Sequence, residues 1–318
     1  MRLVFIGSSE FGLKCLRTCL EIPKVRIVGV VTAQKTFGIS YRPQGVTNVL
    51  HADVAGLAVA NNIPVVTIER SMADPLMLET VTAWRPDAFL VAGWYHLIPK
   101  NWRNLAPAYG LHASLLPDYS GGAPLVWAMI NGERKTGITC FQMDDGVDSG
   151  PIAGQREVNI SSDDTIATLY ARVEQQGLKM LYEVLPAMAA GTLSLCAQDE
   201  SKRRVMPQRS PEDGCIDWNQ DAQAITRFIR AQTKPYPGAF TTLDGKELHI
   251  WSATLANPAK DHAIGRVQRI ADDIFVVCCN EGAVVLKEVS YKSKTYSHIE
   301  LVRLFRDGGQ YLGIEPSR

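Results

Sequence analysis

Short apolar runs alternate with amphipathic segments along the first part of the chain. Residues 3–6 form a continuous apolar run that ends at Gly7, positions 11–22 repeat apolar residues at helical spacing, and a second apolar run covers 25–31. A strand, a helix and a strand in this order form a βαβ unit with a right-handed crossover. The alternation continues with a helix over 54–61, a strand over 64–66, a helix over 76–84 and a strand over 88–92. The pattern predicts a Rossmann-like, doubly wound parallel sheet of the α/β class.

The hydrophobic pattern changes in the second half of the chain. A long amphipathic helix over 165–188 is followed by a polar, charged stretch at 198–213 that contains two prolines. Beyond it come a helix over 222–231 and short β-like runs at 239–243, 247–251, 265–270, 274–278 and 283–289. Short strands at this spacing are typical of a small barrel of the OB kind. The sequence therefore predicts an α/β domain over 1–197, a linker over 198–213 and a smaller OB-like β-barrel domain over 214–318.

Composition excludes several classes of protein. The 318 residues carry 33 Lys+Arg and 33 Asp+Glu, so the formal net charge is zero and gives no overall attraction to a polyanion. No stretch approaches the ~18 apolar residues of a membrane span, and the N-terminus does not resemble a signal peptide. The seven cysteines include no C-x-x-C pair, which argues against a disulfide framework and a structural zinc site. We expect a cytoplasmic protein that uses neither a membrane nor a metal.

Ligand sites in open α/β sheets lie beyond the carboxyl ends of the strands. The chemistry is therefore expected in the loops after Ile6, Ala92 and Tyr109. The turn at 7–12 holds only two glycines, does not fit the dinucleotide-binding G-x-G-x-x-G pattern and is not followed by a P-loop lysine. A nicotinamide or nucleoside-triphosphate site is not expected.

Residues 109–152 carry the densest set of chemically useful side chains. His112 follows a predicted strand and precedes a turn rich in proline and glycine, and an imidazole at that edge suits proton transfer near neutral pH. Asp148 lies between Gly146 and Gly150, whose flexible backbone can aim the carboxylate toward the same edge. The two side chains form an acid–base pair if they meet. From spacing alone, a structural role for His112 stays open.

A series of motifs runs through the same stretch. It consists of HASLLP from His112, YSGGAP from Tyr119, Trp127, the GE pair at Gly132, TGIT from Thr136 and DSGPI from Asp148. These motifs resemble the signature of the N10-formyltetrahydrofolate-dependent formyltransferases, a family of methionyl-tRNA formyltransferases, nucleotide-sugar N-formyltransferases and the hydrolase domain of formyltetrahydrofolate dehydrogenase. The resemblance covers nearly the whole chain. It implies the formyltransferase fold, N10-formyltetrahydrofolate as formyl donor, catalytic roles for His112 and Asp148, and no metal.

One position departs from the family's pattern. The transferases carry an asparagine two residues before the histidine, whereas this chain has Gly110 there. The resemblance thus implies that one donor to the oxyanion of acyl transfer is missing, and such donors are worth about 2.7–4 kcal/mol. The family's hydrolase domain also lacks the asparagine. Hydrolysis of formyltetrahydrofolate therefore stays an alternative, as does a folate-binding module without turnover.

The resemblance also implies positions for the two ligands. A slot for the flat pterin ring is expected at Val91, Gly93, Tyr95, Leu97, Asp144, Asp145, Gly146 and Val147. The formyl acceptor is expected to face Ser8, Ser9, Glu10, Phe11 and Ser114. Helix capping by Ser8 and Ser9 and aromatic packing by Tyr95 are the alternatives for those residues.

Three features bear on the acceptor. The segments 234–241 and 247–251 resemble the nucleotide-sugar formyltransferases and the hydrolase, the stretch after Thr32 offers only Lys35 and Arg42 as basic residues, and charges in the second domain are evenly mixed. These features favour a small primary amine, above all an amino sugar on a nucleotide. The size of the second domain and the segment 265–289 resemble the tRNA enzymes, so initiator methionyl-tRNA is the alternative acceptor.

Overall fold

The computed structural model describes residues 1–39, 42–68, 71–256 and 263–313. Internal contacts divide the chain into two compact units, each of which is described by itself. The first contains Met1–Pro124, Lys135–Asn159 and Ala171–Met206, and the second contains Leu125–Arg134, Ile160–Tyr170 and Pro207–Arg318. The second unit therefore includes two stretches that precede the predicted linker. The boundaries at 197 and 214 stay a prediction.

Strands and helices follow one another as far as Met206. The elements are β1 (Arg2–Ile6), α1 (Glu10–Glu21), β2 (Arg26–Ala33), β3 (Thr36–Ile39), β4 (Arg42–Thr47), α2 (Val54–Ala60), β5 (Val65–Ile68), α3 (Pro75–Ala83), β6 (Ala88–Val91), α4 (Lys100–Arg103), β7 (Ala108–His112), β8 (Ser120–Gly121), α5 (Pro124–Ile130), β9 (Lys135–Gln142), β10 (Ile152–Asn159), α6 (Ile166–Ala190) and β11 (Val205–Met206). Strands and helices alternate except where β2, β3 and β4, then β7 and β8, then β9 and β10 are consecutive. None of the helices in the described residues is both long and apolar enough to cross a bilayer.

The first unit is built on a sheet of seven strands in the order β10-β9-β7-β6-β1-β2-β5. The strands β5, β2, β1, β6 and β7 run parallel, as the alternating pattern predicts. The strands β9 and β10 are antiparallel to their neighbours, and the hairpin β3–β4 forms a separate ladder. The sequence analysis predicted neither feature, because only one of the eight residues of β10 is buried and its pattern gives no apolar signal.

Burial on both faces explains why the central strands have continuous apolar sequences. Leu3, Val4, Phe5 and Ile6 in β1 are fully buried, as expected for a strand covered by helices on either side. Trp102 is also fully buried, and its indole Nε1 donates a hydrogen bond to Met72 O at 3.0 Å. Because its indole N–H is hydrogen-bonded, this large side chain fills the core without leaving a buried donor unpaired.

From Pro207 onward, the described part of the second unit contains an antiparallel sheet and two α-helices. Its elements are α7 (Ala222–Gln232), β12 (Ala239–Leu243), β13 (Lys246–Ala256), β14 (Arg266–Ala271), β15 (Ile274–Cys278), β16 (Ala283–Tyr291), β17 (Lys294–Ser297), α8 (Leu301–Phe305) and β18 (Gly308–Tyr311). The sheet order is β12-β13-β16-β15-β14-β18, and β17 pairs with β16. The sheet curls until Gly313, after β18, exchanges hydrogen bonds of 3.0 and 2.8 Å with Thr242 of β12. A curled sheet is thus present, but an OB-like barrel is not confirmed.

Candidate active site

The carboxyl ends of β1, β6 and β7 lie side by side at one edge of the parallel sheet. Ile6 pairs with Val91, and Val91 pairs with Gly110. The loops that follow these strands therefore meet at that edge, which is where ligands bind in open α/β sheets.

His112 and Asp148 come together at this edge. His112 is the last residue of β7, and its Nδ1 lies 3.5 Å from Asp148 Oδ2. The other ring nitrogen, Nε2, lies 2.8 Å from Tyr119 O. Because a carbonyl oxygen only accepts, Nε2 carries a hydrogen and Nδ1 is the atom that faces the carboxylate. Their side chains are 12% and 23% exposed, so the pair is shielded from most of the solvent. Its catalytic role stays a prediction.

The backbone around Asp148 is tightly constrained. Asp148 has a φ of +52°, a left-handed conformation that is uncommon for a residue with a Cβ. The Gly121 N–H donates to Asp148 Oδ2 at 2.8 Å, which fixes the carboxylate against the turn after His112. Gly150 allows the loop to approach β9, because a Cβ there would lie 1.8 Å from Gln142 O. The glycines on either side of Asp148 thus serve close approach as well as flexibility.

The space beside Gly110 is occupied by apolar side chains. A Cβ on Gly110 would lie 2.6 Å from Met143 Cε and 3.0 Å from Phe141 Cε1. Gly110 lies within β7 and does not have a positive φ, so packing rather than backbone conformation disfavours a larger residue. The Met143 methyl group therefore occupies the space into which a side chain at position 110 would extend.

The four candidate pterin residues at the end of β6 and in the segment after it lie in different environments. Val91 is buried and Leu97 is 87% exposed. Gly93 has a φ of +60°, and a Cβ there would overlap the hydroxyl of Ser9 at 1.7 Å. The Tyr95 hydroxyl donates to Asn48 Oδ1 at 3.3 Å. This segment therefore offers both a close backbone approach and an exposed apolar side chain, and its role in folate binding stays a prediction.

The loop at 144–147 borders a cleft of about 470 Å³. Within the loop, Asp144 Oδ1 accepts hydrogen bonds from the Gly146 N–H at 3.0 Å and from Ser149 Oγ at 2.6 Å. Val147 is 55% exposed. The lining residues are Lys100, Arg103, Asn104, Pro107, Ala108, Gln142, Met143, Asp144, Asp145 and Gly146. Residues 144–146 of the predicted pterin loop thus line this cleft.

Asp145 in that cleft is paired with two cations. Lys100 Nζ and Arg103 Nη2 lie 2.8 and 2.7 Å from its carboxylate oxygens. The hydrogen bonds from Lys100 and Arg103 hold the pKa of the Asp145 carboxyl below its usual range. Asp145 is therefore ionised at neutral pH and paired with these cations.

Three buried polar atoms near the strand ends have no hydrogen-bond partner among the described residues. They are Ser8 Oγ, Trp94 Nε1 and His96 Nε2. Burial lowers the pKa of His96, so its imidazole is neutral near pH 7. Unpaired buried donors and acceptors are costly, so this segment holds polar groups that lack partners within the described chain. Such groups are compatible with the polar edge of a folate ring. The sequence analysis did not select His96, although three ring-bearing residues in a row at 94–96 were a usable signal.

The predicted acceptor residues have structural contacts of their own. Ser9 is the N-cap of α1 and accepts from the Gly12 N–H at 3.2 Å, as the capping alternative proposed. Phe11 is buried, and Ser114 is fully buried with its Oγ donating to Asp118 O at 2.7 Å. Glu10 is exposed in the first turn of α1. An acceptor role for Ser8, Ser9, Glu10, Phe11 and Ser114 stays a prediction. Across the described ranges no group of three or more His, Cys, Asp or Glu side chains is placed to hold a metal ion.

Two solved structures share the fold. HypX from Aquifex aeolicus in complex with tetrahydrofolic acid aligns with a TM-score of 0.64 at 19% identity, covering 100% of this chain and 50% of that one. The N-formyltransferase from Helicobacter canadensis in complex with folinic acid and dTDP-3-aminofucose aligns with a TM-score of 0.64 at 17% identity, covering 92% and 99%. At these identities the likeness shows the fold alone.

Sequence comparison is more specific. The chain is 35% identical over 298 residues to the methionyl-tRNA formyltransferase of Citrifermentans bemidjiense, covering 92% of this chain and 90% of the relative. It is 33% identical over 302 residues to the enzyme of the same name from Geotalea uraniireducens, covering 94% and 93%. The Formyl transferase profile matches residues 1–185, and the profile of the Formyl transferase C-terminal domain matches 209–303. The resemblance found in the motifs is therefore confirmed, and the chain belongs to the formyltransferase family as an N10-formyltetrahydrofolate-dependent N-formyltransferase.

Proposed function

We propose that this enzyme transfers the formyl group to the α-amino group of methionyl-tRNA. The observation that supports this acceptor is the match to methionyl-tRNA formyltransferases at 33–35% identity over more than nine-tenths of the chain. The sequence features favoured a small amine instead. The relatives support the tRNA alternative better, because the sugar formyltransferases resemble this chain only in fold.

The His112–Asp148 pair supports acyl transfer chemistry. In the net reaction N10 loses its formyl group and gains a proton, and the acceptor nitrogen gains the formyl group. An acceptor that arrives as an ammonium ion loses two protons, one to N10 and one to solvent. Asp148 can accept a proton from the incoming ammonium group, since its carboxylate lies at the mouth of the sheet. His112 Nδ1 can hold that proton, because Nε2 is committed to Tyr119 O at 2.8 Å. The movable proton is thus assigned to Nδ1 and Asp148 Oδ2, which are 3.5 Å apart.

The experiment follows tetrahydrofolate release with N10-formyltetrahydrofolate and charged initiator methionyl-tRNA as substrates. Asp148→Asn keeps the side-chain size and removes the base, and His112→Asn replaces the imidazole with a smaller amide that cannot carry the proton. We expect the rate to fall by about 10²–10⁴-fold in each variant. His298→Asn is the matched control, because His298 lies in the second unit with a side chain that is 52% exposed. Full activity in either site variant would remove the pair from the mechanism.

A nucleotide-linked amino sugar is the second candidate acceptor. The observation in its favour is the zero net charge, which gives no general attraction to tRNA. Of the two basic residues after Thr32, Lys35 is exposed, and the side chain of Arg42 lies outside the described part of the structure. Parallel assays with the tRNA, with amino-sugar nucleotides and with no amine separate the candidates. Release that requires the sugar nucleotide identifies a small acceptor, and release without any amine identifies hydrolysis.

A further inference from the structure

We propose that residues 198–206, here called the clasp, position the catalytic pair through Gln198, Arg203 and Arg204. The inference rests on the proposed roles of His112 and Asp148. Sequence analysis interpreted this stretch as part of a polar linker. Its side chains and backbone instead contact both loops on which the acid–base pair depends.

Gln198 holds the loop that carries Asp148. Its amide Nε2 donates to Asp148 O at 2.7 Å and to Gly150 O at 2.6 Å. These two carbonyl groups flank Ser149, so a single side chain fixes the backbone on both sides of it. Asp148 has the left-handed φ of +52°, which is uncommon for a residue with a Cβ and persists where the surroundings enforce it. The two hydrogen bonds from Gln198 stabilise this backbone conformation.

Arg203 fixes the orientation of Gln198 and adds a third contact to the same loop. Its Nη2 donates to Gln198 Oε1 at 3.2 Å, so the oxygen of the amide faces Arg203 and the NH₂ group faces the loop. Its Nη1 donates to Val147 O at 3.2 Å. Glu200 accepts from the same guanidinium group at 2.5 and 2.6 Å, and the Arg203 side chain is only 14% exposed. The clasp therefore bonds to the carbonyl groups of residues 147, 148 and 150.

Arg204 holds the turn that orients His112. The Ser120 N–H donates to Arg204 O at 3.0 Å, and the Arg204 guanidinium binds both carboxylate oxygens of Asp118 at 2.5 and 2.6 Å. The same guanidinium lies 4.5 Å above the Tyr119 ring. Tyr119 has a φ of +54°, and its carbonyl oxygen accepts from His112 Nε2. The turn is thus fixed by bonds on both sides of the residue that binds the imidazole.

One short segment therefore holds two uncommon backbone conformations, one for each member of the pair. Loss of either set of contacts would let the corresponding loop relax and change the separation of 3.5 Å between Nδ1 and Oδ2. Catalysis is sensitive to such displacements, since a shift of about 1 Å can cost about 100-fold in rate. The clasp residues are positioning residues, because they act through the loops and not on the reacting atoms.

Gln198→Met is the first test, because methionine matches glutamine in length but cannot donate to the two carbonyl groups. We expect kcat to fall by about 10- to 100-fold while KM for N10-formyltetrahydrofolate changes by less than about threefold. Lys202→Met is the matched control, since its side chain lies in the same segment, is 74% exposed and pairs only with Asp199 in the contacts described. The control is expected to keep the kcat of the unmodified chain.

Arg204→Lys is the second test, and it keeps the proposal falsifiable if the first variant does not fold. Lysine keeps the charge but loses the two-point contact with Asp118 and the stacking on Tyr119. We expect the same pattern, a lower kcat with an unchanged KM and a melting temperature close to that of Lys202→Met. An unchanged kcat in a folded variant, or a raised KM with unchanged kcat, overturns the positioning role. Failure of the proposed function is distinct, because the unmodified chain would then show no transfer or would keep its activity in His112→Asn.

Discussion

Gly110→Asn tests what the apolar contacts of Gly110, two residues before His112, do. The new Cβ would meet Met143 Cε at 2.6 Å and Phe141 Cε1 at 3.0 Å, whereas carbon atoms prefer separations of about 3.5–4.0 Å. The methyl group of Met143 must therefore withdraw by about 1 Å, which a flexible thioether can do. The Phe141 ring is 2% exposed and has less freedom. Overpacking of this kind costs about 1–3 kcal/mol of unfolding free energy.

A double-mutant cycle with Met143→Ala separates packing from catalysis. Met143→Ala alone removes contacts of a partly buried side chain, which costs about 2 kcal/mol. It also removes the atom that collides with the new side chain. We therefore expect the double variant to lose less unfolding free energy than the two single variants lose together, by about 1 kcal/mol or more. Urea unfolding of the four proteins measures this coupling.

The catalytic part of the prediction concerns the restored amide. Removing one oxyanion donor of this kind from an optimised site lowers kcat by about 10²–10³-fold. We expect Gly110→Asn with Met143→Ala to exceed Gly110→Leu with Met143→Ala by about tenfold or more, because leucine has a similar size and no donor. Equal kcat values for the two double variants would refute the donor reasoning. A Gly110→Asn variant as stable as the unmodified chain would refute the packing reasoning.

Two further predictions concern the thiols and a buried carboxyl group. Cys196 and Cys215 are exposed and the other five cysteines are buried, and burial raises the pKa of Cys140 to about 12. A disulfide reagent is therefore expected to label two thiols rapidly and the other five only after unfolding. A third rapidly labelled thiol in the folded protein would contradict the burial pattern. Burial raises the pKa of Glu174 above its usual 4.5 despite a hydrogen bond from Lys14. The folded state therefore binds this proton more tightly than the unfolded state does. The free energy of unfolding is expected to fall as pH rises from 4.5 through the raised pKa. Urea unfolding of Glu174→Gln should lack that decline, and identical pH dependences for the two proteins would show that Glu174 does not cause it.

Local patterns in the sequence determined much of the fold. The continuous apolar run of β1 reflects burial on both faces of a parallel strand, and this signal needs no knowledge of the neighbours. Ser9 precedes the helical periodicity of α1, so an N-cap was the alternative to its predicted acceptor role, and the structure has Ser9 as the N-cap. The motifs around His112 and Asp148 identified the family, because each combines glycine, proline and polar residues at fixed spacing.

Tertiary structure decided the features that depend on partners distant in the chain. The strand β10 is mostly unburied, so its membership of the sheet depends on pairing with β9 and not on its own apolar pattern. Met143 fills the space beside Gly110, 33 positions earlier in the chain, and Gln198 bonds to the backbone of Asp148, 50 positions earlier. A contact of this kind leaves no periodic signal in the sequence, since methionine and glutamine are also common at positions without such partners. The left-handed backbone of Asp148 and Tyr119 is likewise set by surrounding hydrogen bonds, because the intrinsic preference of both residues is for negative φ.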